Sequence, residues 1–153
     1  VALVDANIKY PGLGSLMGIG SHAGLTDVVG RDLDPVSALR STSTSNLHVL
    51  LCGNTPLVSS ELFGSPKTRA LLEWLREHHD YVLVDTPAVM PVPEVVVQAK
   101  DADGVVLVVR ANKTDRSVLE KARDVLREGG ANVLGVVLNR RRFVIPEFIY
   151  RRL

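Results

Sequence analysis

Five short, nearly unbroken apolar runs, at residues 1–5, 47–52, 81–85, 104–109 and 132–138, constrain this fold more than any other feature. Runs of this length, with little polar alternation, read as strands buried on both faces, the pattern of a parallel sheet. Helical periodicity alternates with the later runs. Ser65-Pro66 opens one helix with proline in the first turn, and Leu71, Leu72, Trp74 and Leu75 supply its apolar side. Thr114 or Asp115 is placed to cap a second helix, in which Val118, Leu119, Ala122, Val125 and Leu126 recur at helical spacing before Gly129-Gly130 stops it. Alternating strands and helices predict an α/β fold with a doubly wound, mostly parallel sheet of about five strands. Residues 7–46, rich in glycine and ending in Ser41-Thr42-Ser43-Thr44-Ser45-Asn46, read mostly as loop, with a short helix at 34–39.

The 153 residues suit one domain, at 1–139, followed by a basic tail at 140–153. No internal repeat or second domain is evident. Net charge is +1, so no global field favours nucleic acid or an anionic membrane. No stretch reaches the ~18 apolar residues of a membrane span. The single cysteine, Cys52, excludes an internal disulfide, fits a reducing compartment, and stands in an apolar run as a buried structural thiol. Val1 begins directly in an apolar run without an initiator methionine, so the natural N-terminus is expected to lie elsewhere.

Two runs end in a carboxylate, Val1-Ala2-Leu3-Val4-Asp5 and Tyr81-Val82-Leu83-Val84-Asp85, the second followed by Thr86-Pro87. Ligands of open α/β sheets bind beyond the carboxyl ends of the strands, and a carboxylate there can hold Mg²⁺ beside phosphates. Capping of the following turn is the simpler role for one such aspartate; two in one sheet favour a site. The glycine-rich G-x-x-x-x-G-K-[ST] loop that would cradle phosphates is absent. The chain reads as most of a nucleotide-binding domain whose first β-loop-α unit is missing.

These pieces resemble a family. The segment from Val1 through Asp5-Ala6-Asn7 to Pro11 is similar to the Walker A′ segment of the bacterial tyrosine kinases of capsule and exopolysaccharide export, which are deviant-Walker ATPases. Gly24-Leu25-Thr26-Asp27-Val28-Val29 resembles that family's helix start, Ser60-Glu61-Leu62-Phe63-Gly64-Ser65 its Ser-Glu-Leu segment, and Tyr81 to Pro87 its Walker B strand. Ala102 to Arg110 and Gly130 to Asn139 resemble its last two strands. Six pieces stand in the family's order. The resemblance implies a P-loop fold, ATP and Mg²⁺ as cofactors, and transfer of the γ-phosphate to tyrosines of a neighbouring subunit. By position, Asp5 would orient the attacking hydroxyl and assist Mg²⁺, and Asp85 would hold Mg²⁺ through water, with Thr86 adding a hydroxyl. Asn139 and Arg110 would lie near the base; strand-end polar residues are their alternative reading. The implied partners are further copies of the chain or a membrane polysaccharide chain-length regulator, not nucleic acid, with membrane contact only indirect. The implied location is cytoplasmic, at the inner face of the cell membrane.

The departures are equally specific. No lysine can serve a P-loop, Asn7 stands where the family often has a second aspartate, and the tail offers one tyrosine, Tyr150, in place of a cluster. Tyr150 is the phosphoacceptor candidate; Tyr10 is a weaker one, whose simpler reading is a loop residue packed on the sheet edge. This chain alone is expected to be inactive as a kinase, with ATP and Mg²⁺ the cofactors of the intact family domain. Two alternatives remain at this stage: a non-enzymatic interaction module derived from such an ATPase, or a partitioning-type ATPase. In the tail, Phe143, Val144, Ile145, Phe148 and Ile149 stand between arginines, suited to packing on the domain, a partner or a membrane. His78-His79 ends a helix beside Asp80, with no third residue to make a metal site.

Overall fold

A computed structural model describes residues 1–90 and 92–141. Two compact units divide the chain at residues 98 and 99. The first holds a four-stranded sheet in the order β2-β3-β1-β4, from β1 (Ala2–Asp5), β2 (Leu39–Ser41), β3 (His48–Leu50) and β4 (Val82–Asp85). β1 runs parallel to β3 and to β4, while β2 is antiparallel to β3. The second unit holds β5 (Val105–Arg110) and β6 (Val133–Asn139), a parallel pair joined by helix α7 (Arg116–Glu128). The α/β class and the mostly parallel pairing are as expected; the described residues form six strands, four in one sheet and two in another, where one sheet of about five was expected. The additional one, β2, is three residues, Leu39-Arg40-Ser41, and has no apolar run to announce it.

Residues 7–46 hold more regular structure than their composition suggests. They include α1 (Leu13–Leu16), α2 (Leu25–Arg31) and the expected short helix, α3 (Pro35–Ala38). In α3, Asp34 caps the Val36 N–H and Pro35 takes the first helical position. Leu25, Val28 and Val29 turn inward and join Ala2, Val4, Leu50, Leu62, Phe63, Leu71 and Leu75 in the first unit's core. Leu62, Phe63, Leu71 and Leu75 come from α4 (Ser59–Gly64) and α5 (Pro66–His78). Ser65 accepts the Lys67 N–H at the start of α5 at 3.2 Å, as its Ser-Pro signal requires. At the other end His78 and His79 reach back through Nδ1 to the Trp74 and Leu75 carbonyls, at 2.7 and 3.1 Å, satisfying acceptors the helix leaves open. Leu75 is fully buried, so its truncation to alanine should cost about 2–5 kcal/mol.

α7 starts after Asp115, as read, although its side chain makes no capping bond. Ala122 and Leu126 of its stripe are buried, whereas Val118 remains 45% exposed. In β5 and β6 Leu107 is buried while Val106, Val108 and Val137 on the opposite face are at least half exposed. Among the described residues β4 pairs only with β1, and β5 only with β6, so each keeps an open edge.

Candidate functional site at the strand tips

Asp5 and Asp85 close neighbouring parallel strands in register, at the carboxyl end of the sheet. Their surroundings differ. Asp5 is 1% exposed and its oxygens are occupied by backbone: Oδ1 accepts the Asn7 N–H at 3.2 Å, and Oδ2 accepts those of Gly12 and Leu13, each at 3.1 Å. Asn7 Oδ1 in turn accepts the Tyr10 N–H at 3.3 Å. One carboxylate thus folds the loop from residue 7 to the start of α1. Asp85 is exposed, and its backbone carbonyl accepts the Ala6 N–H at 2.8 Å. Its carboxyl is raised above the ordinary carboxylate range, first by partial desolvation and second by the charge of Asp5. Thr86 follows, half-buried.

A third carboxylate, Asp27, is the residue sequence reasoning assigned no role. It is 5% exposed; Oδ2 accepts the Gly24 and Asn54 N–H groups, both at 2.9 Å, and Oδ1 accepts the Thr55 hydroxyl at 2.6 Å. Burial alone would raise its pKa, but the bonds from Thr55, Asn54 and Gly24 and the charge of Arg31 outweigh this and lower it. The clip ties the start of α2 to the loop after β3. Gly53, at φ +98°, has no room for a side chain: a Cβ would lie 2.6 Å from both Asp27 Oδ2 and Thr26 Oγ1. A Cβ at Gly24 would run into the Leu51 carbonyl. The signal for this clip was an aspartate three residues after a glycine and before an apolar pair, an N-terminal helix pattern.

Cys52 is buried, as expected, and its thiol is pushed up to about 11 by burial and then by the charges of Asp5 and Asp27. Burial and a raised pKa both suit a structural thiol. Among the described residues no group of three His, Cys, Asp or Glu side chains is arranged to hold a metal. The strand tips still suit a hard cation: three of the four or so lone-pair directions of Asp5 are used, Asp85 is open, and a cation would relieve their mutual repulsion. For nucleotide phosphates the residues present do not fit, because no lysine-bearing glycine loop exists in the sequence.

In the second unit Arg110 and Asn139 are register partners at the carboxyl ends of β5 and β6. The Arg110 N–H donates to Thr114 Oγ1 at 3.2 Å, and Asn139 Oδ1 accepts the Arg140 N–H at 2.7 Å. The Asn139 amide group is thereby held by its acceptor side. The structure therefore pairs Asp5 with Asp85, and Arg110 with Asn139. Tyr150 lies outside the described residues. Tyr10 is 71% exposed, with the Lys9 ammonium 5.5 Å from its ring centre.

No family model matches the chain. It is 30% identical over 138 residues to the putative tyrosine-protein kinase CapB of Staphylococcus aureus, covering 90% of this chain and 60% of CapB. It is 28% identical to the tyrosine-protein kinase YwqD of Bacillus subtilis, covering 91% of this chain and 59% of YwqD. The chain thus spans about three fifths of the length of these curated relatives. The crystal structure of the VpsO kinase domain superposes with a TM-score of 0.85 at 28% identity, covering 92% of this chain and 70% of that one.

Proposed function

We propose, on the premise that this chain is related to the bacterial tyrosine kinases by sequence and fold, that it is the Walker A′ and Walker B part of such an ATP-dependent kinase, or a degenerate form of one. The kinase would regulate capsule or exopolysaccharide synthesis and export. The observation that carries this reading is the register pairing of Asp5 with Asp85 at the carboxyl end of parallel strands. Asp85, open to solvent, would hold Mg²⁺ through water. Asp5 supplies the second negative charge and fixes the loop that follows β1, so that a hydroxyl arriving there meets a preset backbone. Thr86 would offer its hydroxyl to the cation's water shell, and in the second unit Arg110 and Asn139 would be the residues to meet a base. Bound Mg·ATP would supply charge neutralisation and the transferable phosphoryl group.

The reading treats residues 1–139 as one truncated P-loop-like domain. These 153 residues contain no lysine-bearing glycine loop, and without a phosphate cradle the chain is expected to transfer no phosphate. Its partners are further copies of itself or a polysaccharide chain-length regulator, at the cytoplasmic face of the membrane. A Mn²⁺ titration followed by paramagnetic broadening of carboxyl NMR signals tests the reading. Broadening at Asp85, lost in Asp85→Asn, is expected; no cation binding at the strand tips would overturn it. Incubation with Mg·ATP should yield no phosphotyrosine on this chain alone.

A second reading, a non-enzymatic interaction module, is favoured by Asn7, by the missing phosphate loop and by the single tail tyrosine. It predicts no cation affinity at Asp85 but retained binding to a partner protein.

A further inference from the structure

In the sequence His78-His79 stands without a further metal ligand beside it; the fold supplies one. His48, 31 positions away, opens β3, and its Nδ1 lies 3.1 Å from His79 Nε2. The two rings meet edge to face, with centroids 5.2 Å apart and planes at 74°. Both residues are half-buried and belong to the first unit. They sit at the amino end of its sheet, where His48 is the register partner of Ala2. The Asp5–Asp85 pair closes the carboxyl end, about 10 Å away along β1. One acceptor fixes the hydrogens of the histidine pair. A carbonyl only accepts, so the His79 Nδ1 that faces the Leu75 carbonyl at 3.1 Å carries a hydrogen. In the neutral ring Nε2 is then a bare acceptor, and His48 donates to it through Nδ1–H. Metal-bound histidines are held in the same way: the far N–H goes to a backbone carbonyl or carboxylate, which aims the other nitrogen and raises its basicity. The backbone around both rings is set as well. His48 is paired with Ala2 on one side and Ser41 on the other, and its N–H donates to the Val1 carbonyl at 2.9 Å. His79 directly follows α5, whose last residue, His78, stacks on Trp74 with ring centres 4.4 Å apart.

We propose that His48 Nδ1 and His79 Nε2 form a two-histidine site for a late first-row divalent ion such as Zn²⁺, with water completing the coordination. Two nitrogens bound at about 2.0–2.1 Å to a tetrahedral or octahedral ion stand about 2.8–3.4 Å apart. The observed 3.1 Å falls within that span. The ion sits off the line between the nitrogens, so both rings tilt toward it. The His48 hydrogen leaves Nδ1 and is replaced, through water, by one on Nε2, while His79 keeps its hydrogen on Nδ1. No net proton is released from the neutral pair. Imidazole donors favour Zn²⁺, Ni²⁺ or Cu²⁺ over Mg²⁺, so this site differs in chemistry as well as place from the carboxylates at the strand tips. It goes beyond the kinase reading and does not depend on it.

The test is a Zn²⁺ titration of the whole chain, read by long-range proton–nitrogen NMR correlation of the imidazoles, which reports the tautomer of each ring and the nitrogen that takes the ion. Before addition, both His48 and His79 should be in the Nδ1–H form. With Zn²⁺ the His48 ring should change to Nε2–H while His79 does not, and the two should respond at the same concentration. Mg²⁺ should leave both rings unaltered. His48→Gln should weaken Zn²⁺ affinity at least about tenfold, and His22→Gln with His78→Gln should leave it near the parent value. Circular dichroism checks that His48→Gln is folded, and the parent titration decides the matter without it. No response of His48 and His79 to Zn²⁺, a response confined to His22 or His78, or parent affinity in folded His48→Gln would each overturn the proposal.

Discussion

Asp5 and Asp85 are register partners across β1 and β4, yet one is sealed by three backbone N–H groups and the other is open to water. Their substitutions should separate. Asp5→Ala strands three donors and should cost about 3 kcal/mol in urea unfolding. Asp85→Asn should stay within about 0.5 kcal/mol at neutral pH.

The pH dependence of Asp85 has a defined sign. Its folded-state pKa is raised, so the native state binds its proton more tightly than the unfolded state does. The associated stability is full below the ordinary carboxylate pKa and is lost as pH rises through the raised value. Asp85→Asn should remove this decline from a stability profile measured upward from about pH 4. An unchanged profile would contradict the assignment.

Asp27 acts in the opposite sense. Its pKa is lowered, so its contribution is present above the ordinary carboxylate pKa and is lost as pH falls through the lowered value. Asp27→Asn should cost about 2–3 kcal/mol at neutral pH, since a carboxylate serving three donors is replaced by a group with one acceptor oxygen. The variant should also lose part of the wild-type acid sensitivity, which parallel urea titrations at acid and neutral pH would show.

Glycine substitutions probe the same crossing. Gly24→Ala and Gly53→Ala should each destabilise by more than about 2 kcal/mol, because backbone or carboxylate occupies the space a methyl group needs. Gly12→Ala is the control: nothing lies within 4 Å of its Cβ position, although its N–H must still reach Asp5.

The open edges of β4 and β5, with Leu83, Val106 and Val108 exposed, should make the isolated chain self-associate as concentration rises. Sedimentation velocity on Val108→Lys should show less association than the parent. An unaltered distribution would locate the contact elsewhere.

What the sequence revealed depended on the range of the signal. Apolar runs are local, so β1, β4, β5 and β6 were located within a residue or two. The Ser-Pro start of α5 and the double glycine after α7 were legible because capping chemistry acts within a turn. β2 was not, because its partner is supplied by β3 and nothing in Leu39-Arg40-Ser41 demands a strand. The same limit explains the site. Two aspartates at the ends of apolar runs announced themselves; for Asp27 the local pattern reaches only Gly24, and its bonds to Asn54 and Thr55 lie far along the chain, beyond that pattern.

The Asp27 clip also has a topological consequence. Its bond to Thr55 spans 28 positions and closes a ring that contains the exposed Thr42–Asn46 turn. A single cut in that turn leaves β2 laddered to β3 on either side of the nick, and leaves Asp27 holding Asn54 and Thr55. The two pieces should therefore remain together as a nicked whole, which makes this turn the place to open the chain for new termini or an inserted reporter.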